Sequence, residues 1–165
     1  MNMQNATLVS EIRVASRLMV RELGFMNTTL AATDYSPSAV HTLLEIENQG
    51  AMTAAQLVQV LGLEKSSVSR MLGKLINAGE IHEVASKEDA RFKQLQLTVQ
   101  GMASVARINE YGSMRVIEAL RHLTPAQQQS VAAGLCAYAH ALEACRNSVP
   151  ALQQDEIEIV AGYRP

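Results

Sequence analysis

One short segment of the sequence concentrates side chains that donate hydrogen bonds or carry positive charge. Between positions 65 and 74, apolar residues fall at Val68, Met71 and Leu72. On a helix this spacing separates an apolar face from a polar face. The polar face would carry Lys65, Ser66, Ser67, Ser69, Arg70 and Lys74. Hydroxyls and a guanidinium can bond base edges, and lysines can neutralise phosphates, so this chemistry suits duplex DNA; an ordinary solvated helix face is the alternative.

A short helix and a turn precede this segment. Thr53 and Gln56 have the spacing of a capping box, which predicts the start of a helix, and Gly62 predicts its end. The second helix would begin within about three residues and run to Gly79. Val68, six positions after Gly62, is placed to pack against the first helix and to turn the polar face outward. Two helices joined in this way form a helix-turn-helix.

The spacing of apolar residues changes from three and four to two beyond Gly79. Residues 94–97 alternate between polar and apolar, and residues 81–85 can supply an antiparallel partner. A hairpin directly after a helix-turn-helix predicts a winged helix over about residues 37–98. The polar loop of the hairpin contributes Lys87, Arg91 and Lys93. A loop arginine can enter the minor groove of DNA.

Long helices are predicted on both sides of the winged helix. An apolar stripe from Leu8 to Leu30 predicts a helix of about 25 residues, within positions 6–32, that runs through Gly24. Further helices are expected over 99–148, with a capping box and a proline start at residues 124–127. These stripes exceed what one small chain covers, so we expect them to join two copies into a homodimer.

The composition and charge of the sequence indicate a fold class, a cellular location and the strength of DNA binding. The sequence is 48% hydrophobic but only 4% aromatic, which favours a mainly α fold built from aliphatic residues. It has no apolar run of about 18 residues and no signal-peptide pattern, so a cytoplasmic location without membrane contact is expected. The net charge is −2, and positions 64–93 hold six cations against five anions. DNA affinity should therefore be modest and strongly dependent on salt.

Three motifs resemble those of the MarR family of winged helix-turn-helix transcription regulators. They are Leu-Gly-Leu-Glu-Lys-Ser-Ser-Val-Ser-Arg at residues 61–70, Asp89-Ala90-Arg91, and Leu97-Thr98 followed by Gly101. The resemblance covers about residues 6–148. It implies a dimer with interlocking end helices, a cleft for a small-molecule effector, and ligand-responsive repression at a pseudo-palindromic operator. It also implies that Arg91 contacts the minor groove and that Asp89 positions the wing; Phe92 departs from the family pattern.

Other chemistry has little support in the sequence. Cys136 and His140 share a helical face, but Cys145 lies on another side, so no metal site is predicted. Cys145 falls on the apolar stripe and is expected to be a core residue. Neither a nucleophile-base pair nor a phosphate-binding glycine loop is visible, so we expect no catalytic site and no cofactor. A metal-responsive protein and a pure protein-interaction module remain alternatives.

The last residues do not belong to the winged-helix pattern. We take residues 1–149 as the regulatory domain and residues 150–165 as a tail. Residues 157–165 resemble the first strand of a GNAT acetyltransferase domain, of the kind fused behind some MarR-like domains. The chain could thus be the regulatory half of a regulator/N-acetyltransferase, and an ordinary tail is the alternative.

Overall fold

The computed structural model describes residues 3–85 and 93–148, which form six helices and two strands. In chain order these elements are α1 (Met3–Glu22), α2 (Pro37–Gln49), α3 (Ala54–Leu61), α4 (Lys65–Asn77), β1 (Ile81–Ala85), β2 (Lys93–Leu97), α5 (Val99–Leu120) and α6 (Pro125–Ser148). One compact unit ends at Arg115 and a second begins at Val116. The predicted mainly α fold is confirmed, and so is the order of helices and hairpin in the winged helix.

The core of the first unit is formed by the winged helix and the first half of α5. α2 contributes Val40, Leu43 and Ile46, all at most 2% exposed. The other buried apolar residues include Leu57, Val68, Leu72, Leu75, Ile81, Leu95, Val105 and Ile108. Full burial of one such side chain stabilises the fold by about 1.5–3 kcal/mol. Since Val68, Leu72 and Leu75 fix which face of α4 lies inward, they also fix which face meets solvent.

Local signals set the ends of the winged-helix elements. The Ser36 hydroxyl accepts a hydrogen bond from the Ala39 N–H at 3.4 Å, directly before Pro37. The predicted capping box of α3 is present, because the Gln56 N–H donates to the Thr53 hydroxyl and the Thr53 N–H donates to Gln56 Oε1. Gly62 ends α3 with a φ of +63°, a left-handed conformation that glycine adopts without steric cost.

The first helix is shorter than the sequence predicted. α1 ends at Glu22, so the expected helix over 6–32 is wrong beyond that residue. Gly24 has a φ of +82°, and a Cβ added to it would lie 3.2 Å from Asn27 Nδ2, so the glycine terminates the helix instead of being tolerated inside it. The Leu30 N–H then donates to the Tyr35 carbonyl at 2.9 Å, and Leu30 packs against the core.

The hairpin is confirmed, and it has an additional contact that the sequence did not predict. β1 and β2 pair antiparallel, with Ile81 opposite Leu97 and Glu83 opposite Leu95. On the other edge of β2, Leu95 exchanges two backbone hydrogen bonds with Met52, at 2.7 and 3.1 Å. The base of the hairpin is therefore tied to the segment between α2 and α3.

The second unit contains the end of α5 and the whole of α6. The predicted capping box before α6 is present, since the Thr124 N–H donates to Gln127 Oε1 at 2.9 Å and the Gln127 N–H donates to the Thr124 hydroxyl at 3.4 Å. The large apolar residues of α6 are exposed in the single chain: Val131, Leu135, Tyr138 and Leu142. Cys145 is exposed as well, so its predicted place in a core is wrong for one chain alone.

Candidate DNA-binding surface

The six residues predicted on the polar face of α4 lie together on the solvent side of that helix. Ser67 is half-buried and the other five are exposed: Lys65, Ser66, Ser69, Arg70 and Lys74. The opposite face of α4 is buried through Val68, Met71, Leu72 and Leu75. The winged helix thus presents a stripe of hydroxyls and cations on the second helix of its helix-turn-helix.

Arg70 is partly held by its own helix. Its Nε donates to the Ser66 carbonyl one turn earlier, at 3.3 Å. This bond uses one of the five N–H donors of the guanidinium. It aligns the start of the side chain along α4, on the same face as Ser66 and Lys74.

Most of the predicted wing contacts lie outside the described residues. Lys87, Asp89, Arg91 and the divergent Phe92 fall within 86–92, and the tail at 149–165 is also outside. Lys93 is described: it begins β2 and forms an ion pair with Glu83 on β1. Both side chains are exposed, so the pair contributes little stability, but it partly neutralises the charge of Lys93 at the base of the wing.

Glu80 does not contribute to surface charge, although the sequence count included it among five anions. It lies between α4 and β1 and is 3% exposed. Its Oε1 accepts hydrogen bonds from the Tyr35 hydroxyl at 2.7 Å, the Ser104 hydroxyl at 3.0 Å and Gln100 Nε2 at 3.3 Å. Among the described residues, Glu80 Oε2 has no partner. No signal in the sequence separated this glutamate from a surface residue.

Burial and the neighbouring carboxylate both affect the pKa of Tyr35. Burial of the ring raises the pKa of Tyr35 to about 12, and the hydrogen bond to Glu80 adds to the shift. The folded chain therefore keeps the phenol protonated to a higher pH than an unburied tyrosine would be.

A shallow cleft lies beside the helix-turn-helix, between α2 and the α3–α4 turn. Its volume is about 290 Å³, and it is lined by Ser38, His41, Glu45, Val60, Leu61 and Leu63. The ring of Phe25 stacks on His41 with centroids 5.5 Å apart. Across residues 3–85 and 93–148, no group of three histidine, cysteine or acidic residues is arranged to hold a metal ion. In the same ranges no helix is long and apolar enough to span a membrane.

Residues 33–91, which include the helix-turn-helix and β1 but not β2, match the family model described as MarR family. This part of the winged helix is similar to the MarR family. The resemblance found in its motifs is therefore confirmed, and transcription regulation through DNA binding is the general function of that family.

Relatives of this chain are described as transcriptional regulators. An uncharacterized HTH-type transcriptional regulator, YfiV of Bacillus subtilis, is 26% identical over 110 residues, which are 67% of this chain and 69% of the relative. The HTH-type transcriptional regulator PetP of Rhodobacter capsulatus is 28% identical over 92 residues, 56% of this chain. The chain spans about half of the PetP sequence, 55%.

Solved structures show the same fold. RV1404 from Mycobacterium tuberculosis has a TM-score of 0.69 at 20% identity, over 93% of this chain and 100% of that protein. Wild-type MarR from E. coli, in its apo form, has a TM-score of 0.64 at 20% identity, over 76% of this chain and 94% of that protein. At these identities the likeness establishes the winged-helix fold and nothing finer.

Proposed function

We propose that this chain is a homodimeric, sequence-specific regulator of transcription of the MarR family that places α4 in the major groove of duplex DNA. The observation that carries the proposal is the division of α4 into two faces. Its aliphatic residues are buried against α2 and α3, and its hydroxyls and cations are exposed on one side. A helix of this kind beside a hairpin has the shape and the chemistry to read base edges.

The exposed residues of α4 divide by chemistry into two roles. Ser66, Ser69 and Arg70 can bond base edges, and the guanidinium fork of Arg70 matches the O6 and N7 acceptors of guanine. Lys65, Ser67 and Lys74 are assigned to phosphates, which set position and affinity without reading sequence.

The wing supplies the remaining contacts in this proposal. Arg91 would enter the minor groove with Asp89 holding the wing in place, and Lys87 and Lys93 would face phosphates. Since Lys93 is already paired with Glu83, its contribution to affinity should be smaller than that of Lys65 or Lys74.

Two copies of the chain are proposed to associate through their end helices. Apolar residues of α1 that are exposed in the single chain support this, among them Leu8 at 54% and Leu18 at 46%. α6 adds a second exposed apolar face. A twofold dimer requires a pseudo-palindromic operator whose half-sites lie about 34 Å apart, one helical turn of DNA.

Response to a small-molecule effector is part of the proposal, with repression as the mode of control. The cleft beside α2 combines Leu61 and Val60 with the imidazole of His41 and the carboxylate of Glu45. Apolar walls with a few polar groups are typical of small-molecule sites. Residues 1–149 form the regulatory domain in this proposal, and residues 150–165 are assigned to a tail.

The proposal is tested by selecting duplexes from a random-sequence pool with the full chain and footprinting the protein on the selected DNA. We expect enrichment of a pseudo-palindrome and protection of two adjacent major-groove segments. Affinity for the selected duplex should exceed that for a scrambled duplex by at least about 10³-fold at moderate salt. Equal affinity for the two duplexes would contradict the proposal.

A further inference from the structure

The main chain of Glu80 connects the end of the recognition helix to the start of α5. Its N–H donates to the Leu75 carbonyl in the last turn of α4, at 3.0 Å. Its carbonyl accepts from the Thr98 N–H, also at 3.0 Å, directly before α5 begins. Gly101 permits this approach, because a Cβ at that position would lie 2.0 Å from the Glu80 oxygen.

The side chain of Glu80 adds connections to two separate parts of the first unit. Tyr35, in the segment before α2, donates to Oε1, and so do Ser104 and Gln100 of α5. Arg107 extends the contact along α5, since its Nη2 donates to the Ser104 hydroxyl at 2.9 Å. Three donors thus converge on one oxygen of a residue that directly precedes the first wing strand.

A carboxylate is a costly group to bury for stability alone. Removing its charge from water is unfavourable, and Oε2 recovers no hydrogen bond from the described residues. The three hydrogen bonds at Oε1 offset only part of that cost. The carboxylate fixes the orientation of the segments that donate to it, because hydrogen bonds depend on angle and apolar packing does so much less.

We propose that Glu80 is a positioning residue for DNA recognition, which holds the end of α4 and the start of β1 at a fixed orientation to α5. The inference rests on the proposed function, because it assigns a part of DNA reading to a residue that does not touch DNA. In a dimer, the orientation of α5 would set the distance between the two recognition helices. Removing the hydrogen bonds of the Glu80 side chain should therefore reduce discrimination between DNA sequences in a protein that still folds.

Glu80→Met separates positioning from space filling. Methionine preserves the length of the side chain but removes the carboxylate that accepts from Tyr35, Ser104 and Gln100, so a residue that only fills space would leave discrimination between DNA sequences unchanged. Glu80→Gln retains a carbonyl oxygen that can accept from Tyr35 and Ser104. Asn109→Ala is the matched control, because it removes an exposed hydrogen bond between α5 and Glu47 of α2, at 2.9 Å.

The experiment measures binding by fluorescence anisotropy at one salt concentration, with the duplex selected by the unaltered protein and a scrambled duplex of equal composition. For Glu80→Met we expect the ratio of the two affinities to fall by about ten-fold in a protein that remains folded at the temperature of the assay. Glu80→Gln and Asn109→Ala should keep the ratio within about two-fold.

An unchanged ratio in a folded Glu80→Met variant would overturn the inference while leaving the proposed function intact. If Glu80→Met does not fold, Tyr35→Phe decides: a reduced ratio supports the inference, and a ratio equal to that of Asn109→Ala overturns it. Equal affinity of the unaltered protein for both duplexes is a different result, which overturns the proposed function and the inference together.

Discussion

Individual side chains of the winged helix divide between those that would meet DNA and those that hold the reading surface in place. Arg70 belongs to the first group, with Nε anchored on Ser66 and one face of α4 open to solvent. Tyr35 and Glu80 belong to the second group, and their contact joins the segment before α2 to the start of the wing. The two groups make separate predictions.

Arg70→Ala should weaken binding to the selected duplex by about 1–3 kcal/mol and relax the preference at one base-pair position, because a bidentate contact to guanine is lost. Competition binding with single-position duplex variants measures both effects. Arg121→Ala is the control, since it removes the same charge from an exposed site between α5 and α6. Identical specificity in the Arg70 and Arg121 variants would show that Arg70 does not read a base pair.

Tyr35 should make stability fall at high pH. Its pKa is about 12 in the fold against an ordinary 10, so the folded chain keeps this proton when the unfolded chain releases it. The resulting stabilisation is complete below pH 10 and is lost as pH rises from 10 to 12. Urea unfolding of the unaltered protein and of Tyr35→Phe, compared across this range, isolates the contribution. Parallel pH profiles would show that Tyr35 has the same pKa in the folded and the unfolded chain.

At the scale of elements, the close approach of α5 to the end of α4 depends on one glycine. Gly101 faces the Glu80 carbonyl, whereas a Cβ added at Gly112, further along the same helix, would meet no atom within 4 Å apart from its chain neighbours and the adjacent backbone of α5. Replacing each of these two glycines by alanine, in separate variants, compares the same substitution at a crowded and an open position of α5.

Gly101→Ala should destabilise the fold by at least about 1–3 kcal/mol, because the new methyl group would overlap a backbone oxygen and force α5 away. Gly112→Ala should stabilise it by up to about 1 kcal/mol through helix propensity. Chemical denaturation of both variants checks this. Equal changes in the free energy of unfolding would mean that α5 accommodates the methyl group without strain.

At the scale of the whole molecule, the exposed apolar residues of α1 and α6 are the main reason to expect a second copy. Leu142 is 53% exposed and Leu135 is 44% exposed in the single chain. A monomer rarely leaves several apolar side chains of this size exposed on one helix.

Leu135→Glu should shift the protein from dimer to monomer and abolish tight binding to the selected duplex, because a charge would have to be buried in the proposed interface. Light scattering after size-exclusion chromatography gives the mass, and anisotropy gives the affinity. Gln129→Glu adds the same charge at a polar position of α6 and should leave both unchanged. A Leu135→Glu variant that stays dimeric would place the interface elsewhere.

The sequence alone determined the features that depend on neighbouring residues. Ser36, Thr53 and Thr124 cap helices within one turn, Gly62 bends the chain at its own position, and alternation in residues 94–97 specifies a strand. Tertiary structure decided what depends on residues far apart in the chain. Leu30 packs against the core, Met52 joins β2 by backbone bonds, and Glu80 is buried with donors from two other segments around it. Local geometry is encoded in adjacent residues, whereas burial is a property of the packed chain, so the same glutamate counts as surface charge in the sequence and as a buried junction in the fold.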